Sequence, residues 1–123
     1  MRVLVVEDNP VNMKLITLVL KKHGHEPLFA TCGEEGVEKA ASEHPDIILM
    51  DILLPDIDGL EATRRIRNIG TMKDTPIIAI TSYAMAGDRE KILEAGCNGY
   101  FEKPINPLTI MDEIEKIIQR GRP

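Results

Sequence analysis

Five short apolar runs alternate with five helical patterns along this chain, and that alternation restricts the fold more than any other feature of the sequence. The runs are Val3 to Val6, Pro27 to Ala30, Ile47 to Met50, Ile77 to Thr81 and Gly99 to Phe101. Strands separated by helix-length segments build a parallel sheet with helices on both faces. The first, third and fourth runs are continuously apolar, as strands buried on both faces should be. At 123 residues the chain suffices for one domain with a sizeable core and is too short for two of ordinary size. The expected domain is residues 1–120, with Gly121-Arg122-Pro123 as a loose tail.

Local signals mark the helix starts. Asn9-Pro10 and Asn106-Pro107 each offer an N-cap followed by proline at the first helical position. Thr31 with Glu34, and Asp58 with Glu61, have capping-box spacing. Near the end, Leu108, Met111, Ile114, Ile117 and Ile118 recur at intervals that predict one apolar stripe facing the sheet.

Composition removes several functional classes. Tryptophan is absent and aromatics are 3%, which argues against stacking on bases or on a flavin. A net charge of -5 opposes a nucleic-acid surface. No apolar stretch approaches the ~20 residues of a membrane span, and Met1-Arg2-Val3 enters the first strand without a signal-peptide pattern. A cytoplasmic protein is expected, with no membrane partner and with Cys32 and Cys97, which lack metal or redox spacing, as reduced thiols. His23, His25 and His44 fall between helices and following strands, where capping or solvated histidines are expected. Arg64, Arg65 and Arg67 read as a solvated helix face.

Chemistry concentrates at the opposite edge. Glu7, Asp8 and Asp51 each stand where an apolar run stops, and parallel strands bring those carboxyl ends together, where such folds bind ligands. Two carboxylates ~4 Å apart repel by roughly 4 kcal/mol at an effective dielectric of about 20. Such a cluster calls for a proton or a counter-ion, and a divalent cation with oxygen ligands suits it. Four loops converge on that edge, carrying Glu7-Asp8-Asn9, Asp51, Thr81-Ser82-Tyr83 and Lys103-Pro104.

Five motifs occur in register: E-D-N (Glu7 to Asn9), M-D-I-L-L-P (Met50 to Pro55), D-G-L-E-A-T (Asp58 to Thr63), I-T-S-Y-A-M (Ile80 to Met85) and Y-F-E-K-P-I (Tyr100 to Ile105). Together they resemble a response-regulator receiver domain of the CheY-like kind, over essentially the whole chain. The likeness is strongest to single-domain regulators of the DivK type and to receivers of hybrid histidine kinases. It implies a doubly wound α/β fold with strand order 2-1-3-4-5, shared with flavodoxins.

The resemblance also implies roles. Asp51 would accept a phosphoryl group from a phosphohistidine. Asp8, Asp51 and the Leu53 backbone carbonyl would hold Mg2+, or Mn2+ as a substitute, with Glu7 acting through water. Lys103 and Thr81 would bind phosphoryl oxygens. A cis bond before Pro104 would aim Lys103 inward. Thr81 and Tyr100 would move together as a switch, although Tyr100 also reads as a half-buried core tyrosine. Leu53 and Tyr83, bulky residues two positions after Asp51 and Thr81, would slow hydrolysis of the acyl phosphate.

The implied protein is not a dedicated enzyme; it catalyses its own phosphorylation and dephosphorylation. Its partners would be a sensor histidine kinase or histidine phosphotransfer protein. A downstream protein would dock on the fourth helix, last strand and last helix around Ala84, Met85, Lys91, Tyr100 and Ile105. The chain would be a monomer or a weak phosphorylation-dependent dimer. Met1 directly before the first strand leans towards a free-standing protein, the alternative being a module of a hybrid kinase.

Two other classes share parts of this pattern. A flavodoxin-like electron carrier has the same element order, but Glu7-Asp8 would repel a phosphate where a hydroxyl- and glycine-rich cradle is needed. An aspartyl-nucleophile phosphatase needs a second acid to drive turnover, and Asp56 and Asp58 are the available ones.

Overall fold

Each apolar run becomes a strand of one parallel sheet. The computed structural model describes residues 1–82 and 86–120. Among these, the order is β1 (Arg2–Val6), α1 (Pro10–Lys22), β2 (Glu26–Ala30), α2 (Gly33–Glu43), β3 (Ile47–Asp51), α3 (Gly59–Arg67), a 3-10 turn (Gly70–Met72), β4 (Ile77–Thr81), α4 (Ala86–Ala95), β5 (Gly99–Glu102) and α5 (Ile110–Arg120). The strands lie in the order β2-β1-β3-β4-β5. Tyr83, Ala84 and Met85, and the expected tail 121–123, lie outside the described residues.

Alternation along the central strands divides the core between two faces. Val3, Val5, Ile47, Leu49, Ile78 and Ile80 pack with Ile16 and Leu20 of α1 and Ile110, Met111 and Ile114 of α5. Leu4, Val6, Ile48, Met50, Ile77 and Ala79 pack on the other face with Ala40, Ala62, Ile66 and Ile92 from α2, α3 and α4. All five residues of β3 and of β4 are buried. Each large aliphatic side chain so enclosed contributes roughly 1.5–3 kcal/mol. That fixes register, because a one-residue slip would exchange the two faces.

The caps follow the sequence in two places and depart from it in two. Asn9 accepts hydrogen bonds from the Val11 and Asn12 amides with Pro10 at the first helical position, and Asp58 accepts one from Glu61. At α2, the residue preceding the helix is Cys32, which makes no side-chain cap; Glu35 instead receives the Thr31 amide. The cap comes from Asp56, whose carboxylate accepts the Gly33 and Glu34 amides at 2.8 Å each. At α5, Asn106 caps a turn by accepting from the Leu108 amide, and the α-helix begins only at Ile110. Leu108 therefore leaves the expected stripe and stands 88% exposed, while Ile110 takes an inward place.

The basic run on α3 also divides. Arg64 and Arg65 pair with Glu61 on the surface. Arg67 turns inward, donating to the carbonyls of Gly96, Met72 and Thr75 and to Asn98 Oδ1 at 2.7–2.9 Å. It ties α3 to the segments before β4 and β5. The histidines lie at the edge away from Asp51. His23 and His44 are the C-caps of α1 and α2, and His25 Nδ1 is 3.0 Å from the N-terminal amine.

Candidate functional site

Strand register brings the three acids together. Val6 is opposite both Ala30 and Met50, so Glu7 and Asp51, one residue beyond on β1 and β3, reach the same edge. Backbone bonds continue the ladder past the strand ends: Glu7 N donates to Ala30 O, Ile52 N to Ile80 O and Lys103 N to Thr81 O. The continuation keeps Glu7, Ile52 and Lys103 hydrogen-bonded to the neighbouring strands.

Glu7 and Asp51 are 1% and 2% exposed, and Asp8 faces solvent. One ligand oxygen from each of Glu7, Asp8 and Asp51 lies within 4.8 Å of the others. The Lys103 ammonium stands 3.1 Å from Asp51 Oδ2 and 3.6 Å from Glu7 Oε2. Its bond to Pro104 is cis. Asp51 Oδ1 accepts a 3.3 Å hydrogen bond from the Leu53 amide. Thr81 is buried at the end of β4, beside the position paired with Asp51.

Electrostatics leaves this pocket unbalanced. Burial, followed by the charge of Asp51, raises the Glu7 carboxyl from 4.5 to about 7; the Asn9 amide and Lys103 oppose that rise. Glu7 Oε1 accepts the Asn9 amide at 3.1 Å. Glu7 Oε2 is buried without a hydrogen bond among the described residues. A buried polar atom left in that condition destabilises the fold unless something else binds it. The donor set consists of hard carboxylate oxygens, which suits Mg2+. Residues and charge thus fit a divalent cation.

Two of the remaining predicted residues, Leu53 and Tyr100, are among those described. Leu53 is 63% exposed and lines a cavity of about 110 Å3 with Ile52, Leu60, Thr81, Asp88, Lys91 and Ile92. Tyr100 is half-buried on β5 with the Arg89 guanidinium 5.7 Å from its ring centroid. Tyr83 lies outside the described residues.

Gly59 is a site residue that the sequence reading overlooked. A Cβ there would stand 2.0 Å from the Asp51 carbonyl oxygen, so only glycine lets α3 start against the end of β3. Its amide donates to Ile52 O at 2.8 Å. The D-G pair of the motif carried that signal: Asp58 caps the helix and Gly59 permits the approach.

The family model described as response regulator receiver domain matches residues 3–115. The chain belongs to that family. Receiver domains are signalling modules, and this one is 39% identical over 116 residues to the polar-differentiation response regulator DivK of Brucella ovis, covering 94% of each chain. Among solved structures, the receiver domain of sensor histidine kinase PA1611 from Pseudomonas aeruginosa PAO1 is 41% identical with a TM-score of 0.84. The match covers 98% of this chain and 95% of that one, whose structure has a magnesium ion coordinated in its active site cleft. The chemotaxis response regulator CheY4 of Vibrio cholerae is 27% identical with a TM-score of 0.91, over 94% and 97% of the two chains. Among the described residues of this receiver domain, no helix is long and apolar enough to cross a membrane.

Proposed function

We propose that this receiver domain is a phosphoacceptor that takes a phosphoryl group from a protein phosphohistidine onto Asp51 and signals by changing a protein-contact surface. The observation that carries the reading is the setting of Asp51, a buried carboxylate with an ammonium at one oxygen and an amide at the other, beside two further acids. A carboxylate oxygen of Asp51 attacks phosphorus as the phosphorus–nitrogen bond to the donor imidazole breaks. The electron pair of that bond returns to the ring nitrogen, and an acyl phosphate results. Lys103 meets the charge on one phosphoryl oxygen and Thr81 donates its hydroxyl to another. Asp8, Asp51 and the Leu53 carbonyl, with Glu7 through water, would hold Mg2+ or Mn2+, which neutralises charge on the transferring oxygens.

Leu53 and Tyr83 screen the acyl phosphate, so the protein dephosphorylates itself slowly. Asp56 and Asp58, the acids a phosphatase would use, are both engaged as helix caps. Thr81 and Tyr100 form the switch; a swing of this equilibrium from 1:99 to 99:1 requires ~5.5 kcal/mol of differential binding. The downstream protein docks on the face of α4, β5 and α5, where a groove of about 400 Å3 runs between Tyr100, Ile105, Ile110 and Glu113.

The donor, a histidine kinase or phosphotransfer protein of the cytoplasm, docks beside the acids. Supporting that placement, Val11 and Leu18 are 74% and 56% exposed and share a cavity with Pro10, directly after the acidic loop, and Leu108, 88% exposed, shares the next cavity with Leu18. Contiguous exposed apolar surface of this kind marks interaction sites. DivK and the PA1611 receiver share the architecture, so the reading applies to the domain whether free-standing or joined to a kinase.

Acetyl phosphate with and without magnesium, followed by intact mass, tests the reading. The wild type should gain one phosphoryl group in a magnesium-dependent manner, and Asp51→Asn should gain none. An adduct that persists in Asp51→Asn would overturn the assignment.

A further inference from the structure

The segment between β3 and α3 carries Leu53, and its position is fixed from two sides. At its base, the Gly59 amide binds Ile52 O and the helix start lies against the Asp51 carbonyl. At its far side, Asp56 Oδ1 and Oδ2 accept the Gly33 and Glu34 amides. Ile57 seats against the same turn of α2, so closely that a Cβ on Gly33 would stand 2.5 Å from Ile57 Cγ1 and 2.9 Å from Ile57 O. Between these anchors Leu53 is exposed, with its amide on Asp51 Oδ1.

The Asp56 contact is therefore reciprocal. It caps a helix whose own Cys32 offers no side-chain cap, and it holds a loop whose exposed Leu53 has little packing of its own. A carboxylate accepting two backbone amides at a helix N-terminus is a strong, directional contact. Its carboxyl accordingly lies well below the ordinary range, chiefly because of the Glu34 amide.

We propose that Asp56 is a positioning residue, whose bridge to α2 holds the Leu53 segment where Asp51 and the expected cation require it. The bridge spans 22 and 23 residues of sequence and anchors the Leu53 segment to the first turn of α2 alone. The part concerning the cation rests on the function proposed above; the part concerning loop order does not.

The test compares Asp56→Ala with Asp56→Asn and with Ala40→Gly, which weakens α2 from within its buried face and leaves the Asp56 bonds to Gly33 and Glu34 in place. Two quantities are read: hydrogen exchange at the Leu53 amide in chelator, and the Mg2+ dissociation constant by calorimetry. Asp56→Ala should speed Leu53 exchange about tenfold or more, and weaken Mg2+ binding by the 10- to 100-fold typical of lost outer-shell partners. Asp56→Asn, which keeps one acceptor, should fall between it and wild type. Ala40→Gly should lower the melting temperature yet leave both quantities within about twofold of wild type. Unchanged Leu53 exchange in Asp56→Ala would overturn the proposal, as would equal acceleration in Ala40→Gly. If wild type bound no Mg2+ while Asp56→Ala still released Leu53, the proposed function would fail and the positioning role would stand.

Discussion

Replacing Glu7 with glutamine in metal-free protein isolates the electrostatic strain of the pocket. The Glu7 carboxyl is raised to about 7 by burial and by Asp51, against an ordinary value of 4.5. Between these two values the folded state holds a proton that the unfolded chain has released. Stability is therefore full below the unfolded value and is lost as pH rises through the folded one. A tenfold change in proton affinity is worth about 1.4 kcal/mol, so the loss between pH 4.5 and pH 8 amounts to about 3 kcal/mol. Glu7→Gln removes the titrating group and one like charge beside Asp51. The variant should lack that part of the slope and, at pH 8 in chelator, melt roughly 10 °C above wild type. Urea unfolding at a series of pH values, read by circular dichroism, measures both proteins. Saturating magnesium should flatten the wild-type slope and remove the advantage of the variant, because the cation binds the ionised cluster. Parallel pH profiles for wild type and Glu7→Gln in chelator would refute the reasoning.

Other perturbations follow from packing. Gly59→Ala places a methyl group 2.0 Å from the Asp51 carbonyl oxygen and should cost roughly 3 kcal/mol or more in denaturant unfolding. A loss under about 1 kcal/mol would mean that α3 can shift. Arg67→Ala leaves the carbonyls of Gly96, Met72 and Thr75 without their donor and should cost about 3 kcal/mol, with Arg67→Lys recovering only part. A surface-like change within 0.5 kcal/mol would return Arg67 to the solvated face. Leu53→Asn together with Tyr83→Ala should speed phosphate loss from the phosphorylated protein, followed by mass or by radiolabel; an unchanged lifetime would remove the shielding argument.

Much of the fold was legible because its determinants are local. Val3 to Val6, Ile47 to Met50 and Ile77 to Thr81 read as strands buried on both faces, and each is one. Asn9-Pro10 and Asp58 mark helix starts through bonds two or three residues long, which spacing can encode. The acids also followed from placement, since a parallel sheet collects strand ends at one edge. What escaped depends on partners distant in sequence. Thr31 and Glu34 have capping-box spacing, yet Asp56 reaches that helix first. Arg67 has the same chemistry as Arg64 and Arg65, and only the fold presents it with inward carbonyls. Asn106 begins a turn whose continuation as an α-helix waits until Ile110, which turns Leu108 outward. Gly59 was visible as a letter of a motif, but its necessity appears only as the distance to Asp51.

The central claim is that phosphate resides on Asp51. Borohydride reduces an aspartyl phosphate to homoserine, so reduction of the phosphorylated protein and peptide sequencing by mass spectrometry locate the acceptor. The account predicts homoserine at position 51 in the magnesium-treated wild type, and none without magnesium. Reduction at Glu7 or Asp8, or phosphate recovered on a histidine, would contradict it.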